Sequence, residues 1–96
     1  MTINLSRQQI EVIKSFQKSE ITEHHIYTKL SRVIKDQENA KTLAQIGIEE
    51  KGHYDIWRQY TGEDVKPNMF KVKWYYLISR IFGITFGIKL MEGGEN

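Results

Sequence analysis

Apolar side chains that recur every three or four residues are the feature that most limits how this chain can fold. That spacing places side chains on one face of an α-helix, and it continues through most of the 96 residues. The chain contains a single proline, Pro67, and almost no alternation of apolar and polar residues of the kind seen in strands. The sequence therefore predicts an all-α fold.

Two apolar stripes predict an antiparallel helical hairpin. Ser6 begins a capping box ahead of a first helix at about residues 7–35, and Asp36 is the predicted N-cap of a second helix at about residues 37–61. The stripes step by three and four through Ile13, Phe16, Glu20, Glu23, Tyr27, Leu30 and Ile34, and through Leu43, Ile46, Glu50, His53, Trp57 and Tyr60. The two stripes are expected to pack against each other as a seam.

A third helix is predicted at about residues 69–91, with Asn68 as its N-cap. Its stripe runs through Trp74, Ile78, Ile81, Thr85 and Ile88 and continues in register to Glu92 and Glu95. This helix is too apolar for the surface of so small a domain, so it is core, a dimerisation face, or a helix that lies on a membrane behind Lys71 and Lys73. Arg80 interrupts the apolar run and argues against a membrane-spanning helix.

Charged residues occupy positions of the seam where apolar residues are expected. Glu20 and Glu23 lie on the first helix, and Glu50 and His53 on the second. Each pair lies about 15 residues from a turn near Asp36, so both should fall at one height, about 20 Å from the turn. Burying an unpaired carboxylate costs several kcal/mol, and a metal ion is the predicted compensating cation. The alternative is a partly open face on which these carboxylates are solvated.

The donor types favour iron, with manganese as a second choice. The chain has no cysteine, so a metal would be held by carboxylates and imidazoles, which suit iron or manganese better than zinc. Di-iron helical bundles take a Glu from each of two helices and Glu-x-x-His from each of the other two. This chain contains one such half and lacks a second Glu-x-x-His. The predicted metal ligands are Glu20, Glu23, Glu50 and His53, and Glu92 or Glu95 would add to them if the third helix enters the same site.

Charge and the N-terminal residues limit the partners and the location. Lys and Arg number 14 against 12 Asp and Glu, and a formal net charge of +2 gives no argument for a nucleic-acid partner. Residues 1–7 lack the charged-then-apolar layout of a secretion signal. We therefore expect a cytoplasmic protein, or a cytoplasmic part of one, with an association at the membrane through the third helix as the alternative.

The charged motifs also resemble those of a known family. Glu-x-x-Glu at residues 20–23, Glu-x-x-His at residues 50–53 and Glu-x-x-Glu at residues 92–95 resemble the rubrerythrin branch of the ferritin-like superfamily. Together with residues 60–67 and 75–83, they are most similar to the ferritin-like domain that precedes the membrane part of some vacuolar-iron-transporter-type proteins. The likeness covers nearly the whole chain.

The resemblance implies a di-iron protein that oxidises Fe(II) with dioxygen or peroxide, in iron handling or oxidant defence. It implies first-half ligands at Glu20, Glu50 and His53, an additional carboxylate at Glu23, and the start of the second half at Glu92 and Glu95. The family's fourth helix is missing, so residues 1–96 are expected to form a single domain with an incomplete four-helix bundle. Either the chain is the N-terminal part of a longer domain, or a homodimer or higher oligomer completes it. The alternative function is a metal-free helical interaction module or membrane-associated adaptor.

Overall fold

The computed structural model describes residues 4–93, and within that range the chain contains helices and no strand. This confirms the predicted all-α class. The four helices are α1 (Arg7–Ser31), α2 (Gln37–Thr61), α3 (Met69–Phe82) and α4 (Ile84–Gly93).

The hairpin of α1 and α2 begins and ends largely where its capping residues predict. Ser6 forms a reciprocal capping box with Gln9, and the Asp36 side chain accepts a hydrogen bond from the Asn39 backbone N–H at 3.0 Å. The second helix spans residues 37–61 as predicted and stops at Gly62, which adopts a left-handed backbone conformation with φ 69°. The two helices are antiparallel, because contacts pair the start of one with the end of the other.

The first helix is shorter than predicted, since it ends at Ser31 and not near Lys35. The Arg32 and Val33 N–H groups donate to carbonyls only three residues back, at 3.3 and 3.1 Å. Such bonds tighten the last turn of a helix and let the chain reverse. Residues 32–36 therefore form the connection to α2.

Three polar contacts and one close backbone approach hold α1 in register with α2 and the segment that follows it. The fully buried Gln17 donates from Nε2 to the Glu63 carbonyl at 2.9 Å and accepts from Thr61 Oγ1 at 2.6 Å. His24 Nδ1 lies 2.7 Å from the Gly47 carbonyl oxygen. A side chain at Gly47 would lie 2.8 Å from Thr28 Oγ1, so the glycine lets the helices approach closely there.

The prediction of a single third helix over residues 69–91 is wrong. Gly83, with φ 99° and ψ 152°, separates α3 from α4, and α4 then packs back against α3. The contact is close because a Cβ atom at Gly87 would lie 1.9 Å from Ser79 Oγ. The predicted stripe does not form one buried face: Trp74 and Ile81 are exposed, whereas Ile78 is buried and Ile88 packs against the core.

The hydrophobic core lies toward the end of the hairpin that contains the turn. Its buried members are Ile26, Tyr27, Leu30, Leu43, Val72 and Met91. Ile84 and Ile88 of α4 pack against this core next to Ile34 and Ile46, so α4 covers the hairpin near its turn. The start of α3 is held to α1 by the Asn68 N–H, which donates to Thr22 Oγ1 at 2.9 Å.

Among residues 4–93, none of the helices has the length and apolar character needed to cross a bilayer. The predicted cytoplasmic location stays a prediction.

Candidate metal centre

Three of the predicted ligands meet between α1 and α2. His53 Nδ1 lies 3.3 Å from Glu20 Oε2 across the hairpin and 3.2 Å from Glu50 Oε1 on its own helix. One ligand atom from each of these residues lies within 4.8 Å of the others. We call Glu20, Glu50 and His53 the acidic triad, and its formation confirms the register predicted for these three residues.

Helix geometry explains why the acidic triad forms. Glu50 and His53 are three residues apart, so they project from the same side of α2. Glu20 lies on α1 between Gln17 and His24, whose contacts with α2 fix the height of the two helices. The carboxylate of α1 is thereby placed directly opposite the imidazole of α2.

The acidic triad is half-buried, with its imidazole on the outside. The side chains of Glu20 and Glu50 are 22% and 15% exposed, whereas that of His53 is 54% exposed. A depression of about 250 Å³ lies beside it, lined by Glu20, His53, Ile56 and Trp57. An ion can therefore reach the carboxylates from outside, past the imidazole.

Burial and the adjacent carboxylate change the protonation of Glu20. Loss of solvent, together with hydrogen bonding and charge repulsion from Glu50, raises the pKa of Glu20 to about 7, against the opposing effect of His53. Glu20, beside Glu50, therefore holds a proton for part of the time at neutral pH. A cation bound between them would replace that proton.

The other predicted ligands lie outside the acidic triad. Glu23 is half-buried on α1 and Glu92 is exposed on α4, and neither belongs to the group of close donors. Glu95 is outside the described residues. Burial raises the pKa of Tyr27, and the negative charges of Glu92 and Glu50 raise it further, so Tyr27 lies near both carboxylates. The ligand roles of Glu23, Glu92 and Glu95 stay predictions.

Aromatic residues beside the acidic triad are more exposed than the stripe predicts. Phe16 and Trp57 have ring centroids 5.5 Å apart, and Trp57 lies 6.2 Å from Tyr60. Phe16 and Tyr60 are nevertheless 45% and 40% exposed, so the predicted packing of this part of the seam is wrong. The reason is that α4 packs against the other end of the hairpin and does not cover these rings.

Sequence reasoning missed the buried side of α1 that faces away from the stripe. Ile21, Thr22 and Ile26 are buried there, next to the segment that begins α3. It also missed the fully buried Gln17, which fixes the register beside Glu20. A polar residue one position from the stripe gives no signal by itself, because its burial depends on meeting Thr61 in three dimensions.

No protein-family model, curated protein or solved structure matches this chain. The likeness to rubrerythrin-like proteins therefore rests on the motifs in the sequence. The geometry of the acidic triad is the independent basis for a functional proposal.

Proposed function

We propose that this chain is a ferritin-like, di-iron carboxylate protein that binds Fe(II) and oxidises it with dioxygen or peroxide. The observation that carries the proposal is the approach of ligand atoms from Glu20, Glu50 and His53 to within 4.8 Å of one another, from two helices. Manganese is the alternative metal, because it accepts the same donors.

The chemistry of the donors suits such a metal. Two carboxylates and one imidazole provide hard oxygen atoms and a nitrogen atom, a combination that binds iron well. A half-buried carboxylate favours a divalent cation, since burial and the adjacent Glu50 raise the pKa of Glu20 to about 7 and so oppose its ionisation without one. Both effects support a metal at the acidic triad rather than at the exposed Glu49 alongside it.

Each residue has a distinct part in the proposal. Glu20 and Glu50 hold iron from opposite helices, and Glu20 gives up its proton as iron enters. His53 presents Nδ1 toward both carboxylates, so its binding form carries its proton on Nε2. Two Fe(II) ions, as substrate, each give one electron to peroxide, which takes up two protons and leaves as two water molecules.

A second copy of the chain would complete the site. One acidic triad supplies half of the ligands that a di-iron bundle uses, and a second hairpin would supply the other Glu and Glu-x-x-His. The surface around the triad is open and carries exposed apolar side chains, namely Phe16, Ile56 and Tyr60 at 45%, 51% and 40%. A twofold axis through this surface would bring two triads face to face and bury those side chains.

One observation favours a metal-free alternative, a helical interaction module. His53 Nδ1 is within 3.3 Å of a carboxylate oxygen on either side, so a protonated imidazole would itself compensate the two negative charges. In that case the acidic triad is a structural ion pair, and chelators leave the protein unchanged.

Anaerobic titration with Fe(II), followed by oxygen or peroxide, tests the proposal. We expect saturable binding and protein-dependent formation of Fe(III) in the native chain, and loss of both in Glu50→Ala and His53→Ala. Glu49→Ala is the matched control, since it removes an exposed carboxylate one residue away and should behave as the native chain does.

Native mass and metal content measured on the same samples test the second copy. A dimer or larger assembly with two irons per pair of chains is expected. Equal Fe(III) formation with and without protein, or equal losses in Glu49→Ala and Glu50→Ala, would contradict the proposed function. Saturable binding by a monomer would contradict only the completion by a second copy.

A further inference from the structure

The outward side of α3 carries an uncovered apolar stripe. Phe70, Trp74, Leu77 and Ile81 step by four, three and four residues, and their exposures are 81%, 51%, 51% and 64%. We call these four residues the outer stripe. Val72 and Ser79, on the opposite side of the helix, are buried against the protein. The outer stripe therefore faces away from the core along the length of α3.

The apolar surface continues past the break at Gly83. Phe82 is 66% exposed and contacts Phe86 of α4, with the ring centroids 5.4 Å apart. Phe86 and Leu90 are themselves 51% and 42% exposed. Exposed apolar residues that occur together in this number mark an interaction surface, whereas isolated ones do not.

The charged residues of α3 are all positive. Residues 65–91 contain five cationic side chains and no Asp or Glu; the five are Lys66, Lys71, Lys73, Arg80 and Lys89. Lys71 lies over the Tyr75 ring at 5.8 Å and Arg80 over the Tyr76 ring at 5.9 Å. At about 100° per residue, Lys71 and Arg80 lie on opposite flanks of the outer stripe. A partner for this surface should be apolar in the middle and negatively charged around it.

We propose that the outer stripe binds the surface of an anionic lipid membrane, with α3 lying flat in the headgroup region. Apolar side chains would enter the acyl boundary while the flanking cations meet lipid phosphates. The described helices are not able to cross a bilayer, which leaves a peripheral position for this surface.

The positive charges favour an anionic membrane, and not a second copy of the chain, as the partner of the outer stripe. Pairing two outer stripes would place Lys71, Lys73 and Arg80 of one copy next to the same cations of the other. Like charges at an interface oppose association, whereas an anionic bilayer attracts the same residues. The surface is also distinct from the acidic triad, which lies between α1 and α2, so the inference does not depend on iron binding.

Sedimentation with lipid vesicles tests the inference on the full chain. We expect binding to vesicles of mixed phosphatidylglycerol and phosphatidylcholine, little binding to phosphatidylcholine alone, and a loss of about tenfold when salt is raised from about 0.1 M to about 0.5 M. The chain has two tryptophans, so Trp57→Phe leaves Trp74 as the only one. Its emission should then move to shorter wavelength on anionic vesicles.

Paired variants assign the effect to the outer stripe. Phe70→Ser with Leu77→Ser should reduce binding about tenfold or more, because both side chains enter the acyl boundary. Val12→Ser with Ile48→Ser removes equally exposed apolar residues elsewhere and should leave binding unchanged. Lys71→Gln with Arg80→Gln should weaken binding. The control Arg32→Gln with Lys41→Gln, which removes two exposed cations from the α1–α2 hairpin, should not.

Three results would overturn the inference. They are equal binding to neutral and anionic vesicles, no binding to either, or unchanged binding in the outer-stripe variant. Absence of vesicle binding together with a dimer that dissociates in Phe70→Ser with Leu77→Ser would assign the surface to a second copy. Circular dichroism of each variant shows that a loss of binding is not a loss of folding.

Discussion

The two ends of the α1–α2 hairpin carry the same apolar period but present different surfaces. Near the turn, Tyr27, Leu30 and Leu43 are buried beneath α4. Toward the other end, the side chain of Glu20 is 22% exposed and Phe16 is 45% exposed. We call these regions the covered end and the open end. Periodicity decides which side chains share a face, but the position of a third element decides whether that face becomes core.

Physical chemistry explains why the charged residues of the seam lie at the open end. A carboxylate at the covered end would lose its water without a compensating partner, at a cost of several kcal/mol. At the open end, Glu20 and Glu50 keep part of their solvent and have His53 beside them. The covered end can therefore stabilise the fold, and the charged side chains of the open end are accessible to a ligand.

Truncation of one large side chain at each end is expected to give the largest effect. Leu30→Ala should lower the free energy of unfolding by about 2–4 kcal/mol, because Leu30 is 2% exposed and its loss leaves a cavity. Phe16→Ala, at the open end, should cost about 1 kcal/mol or less in the monomer. Urea denaturation of both variants measures the difference. Equal losses would mean that the two ends are packed alike.

A variant that displaces α4 is the second test of the difference between the covered end and the open end. Gly87→Ala places a methyl group against Ser79 and should cost about 1–3 kcal/mol, because the helix that covers the core must move. Gly52→Ala is the control: a side chain there meets nothing within 4 Å, and alanine favours helix, so stability should rise by up to about 1 kcal/mol. A neutral result for Gly87→Ala in thermal unfolding would show that α4 contributes little to the covered end.

Removal of the Glu20 charge at the open end should have the smallest effect on the free energy of unfolding. Its sign should be opposite to that of Leu30→Ala and Gly87→Ala, because it should stabilise the protein. The pKa of Glu20 in the folded chain, about 7, lies above the ordinary value of 4.5, so the folded state holds this proton more tightly. The stabilisation of the folded state by protonated Glu20 is fully present below pH 4.5 and is lost as the pH rises through about 7.

The shift of the Glu20 pKa from 4.5 to about 7 corresponds to at most about 3 kcal/mol. Because the Glu20 side chain is 22% exposed, solvent screening reduces that value. In metal-free buffer, Glu20→Gln should therefore stabilise the protein by about 1 kcal/mol at pH 8 and by almost nothing at pH 4. Glu49→Gln, which changes an exposed carboxylate, is the control and should show no such pH dependence. The free energy of unfolding of both variants and of the native chain, measured across this pH range, tests the prediction. A constant difference between Glu20→Gln and the native chain would contradict the assigned pKa.

The hairpin was predictable because its determinants are local. Capping residues fix the start of each helix, and a turn near Asp36 with about 1.5 Å rise per residue sets Glu20 opposite His53. The break at Gly83 was not predictable, because a glycine within an apolar run is compatible with a continuing helix. The helix ends where Gly83 adopts φ 99°, and α4 then packs Gly87 against Ser79, a contact between segments that no periodic pattern records.

The buried contact between Gln17 and Thr61 has a consequence for how the open end responds to acid. An amide and a hydroxyl have no charge to gain or lose over the pH range in which proteins are folded. On the Gln17 side of Glu20, the separation of α1 and α2 is thus set by groups that do not titrate. Glu20 can gain or lose a proton while the uncharged hydrogen bond between Gln17 and Thr61 continues to hold the two helices together. Geometry and charge are therefore controlled by different residues at this point of the hairpin.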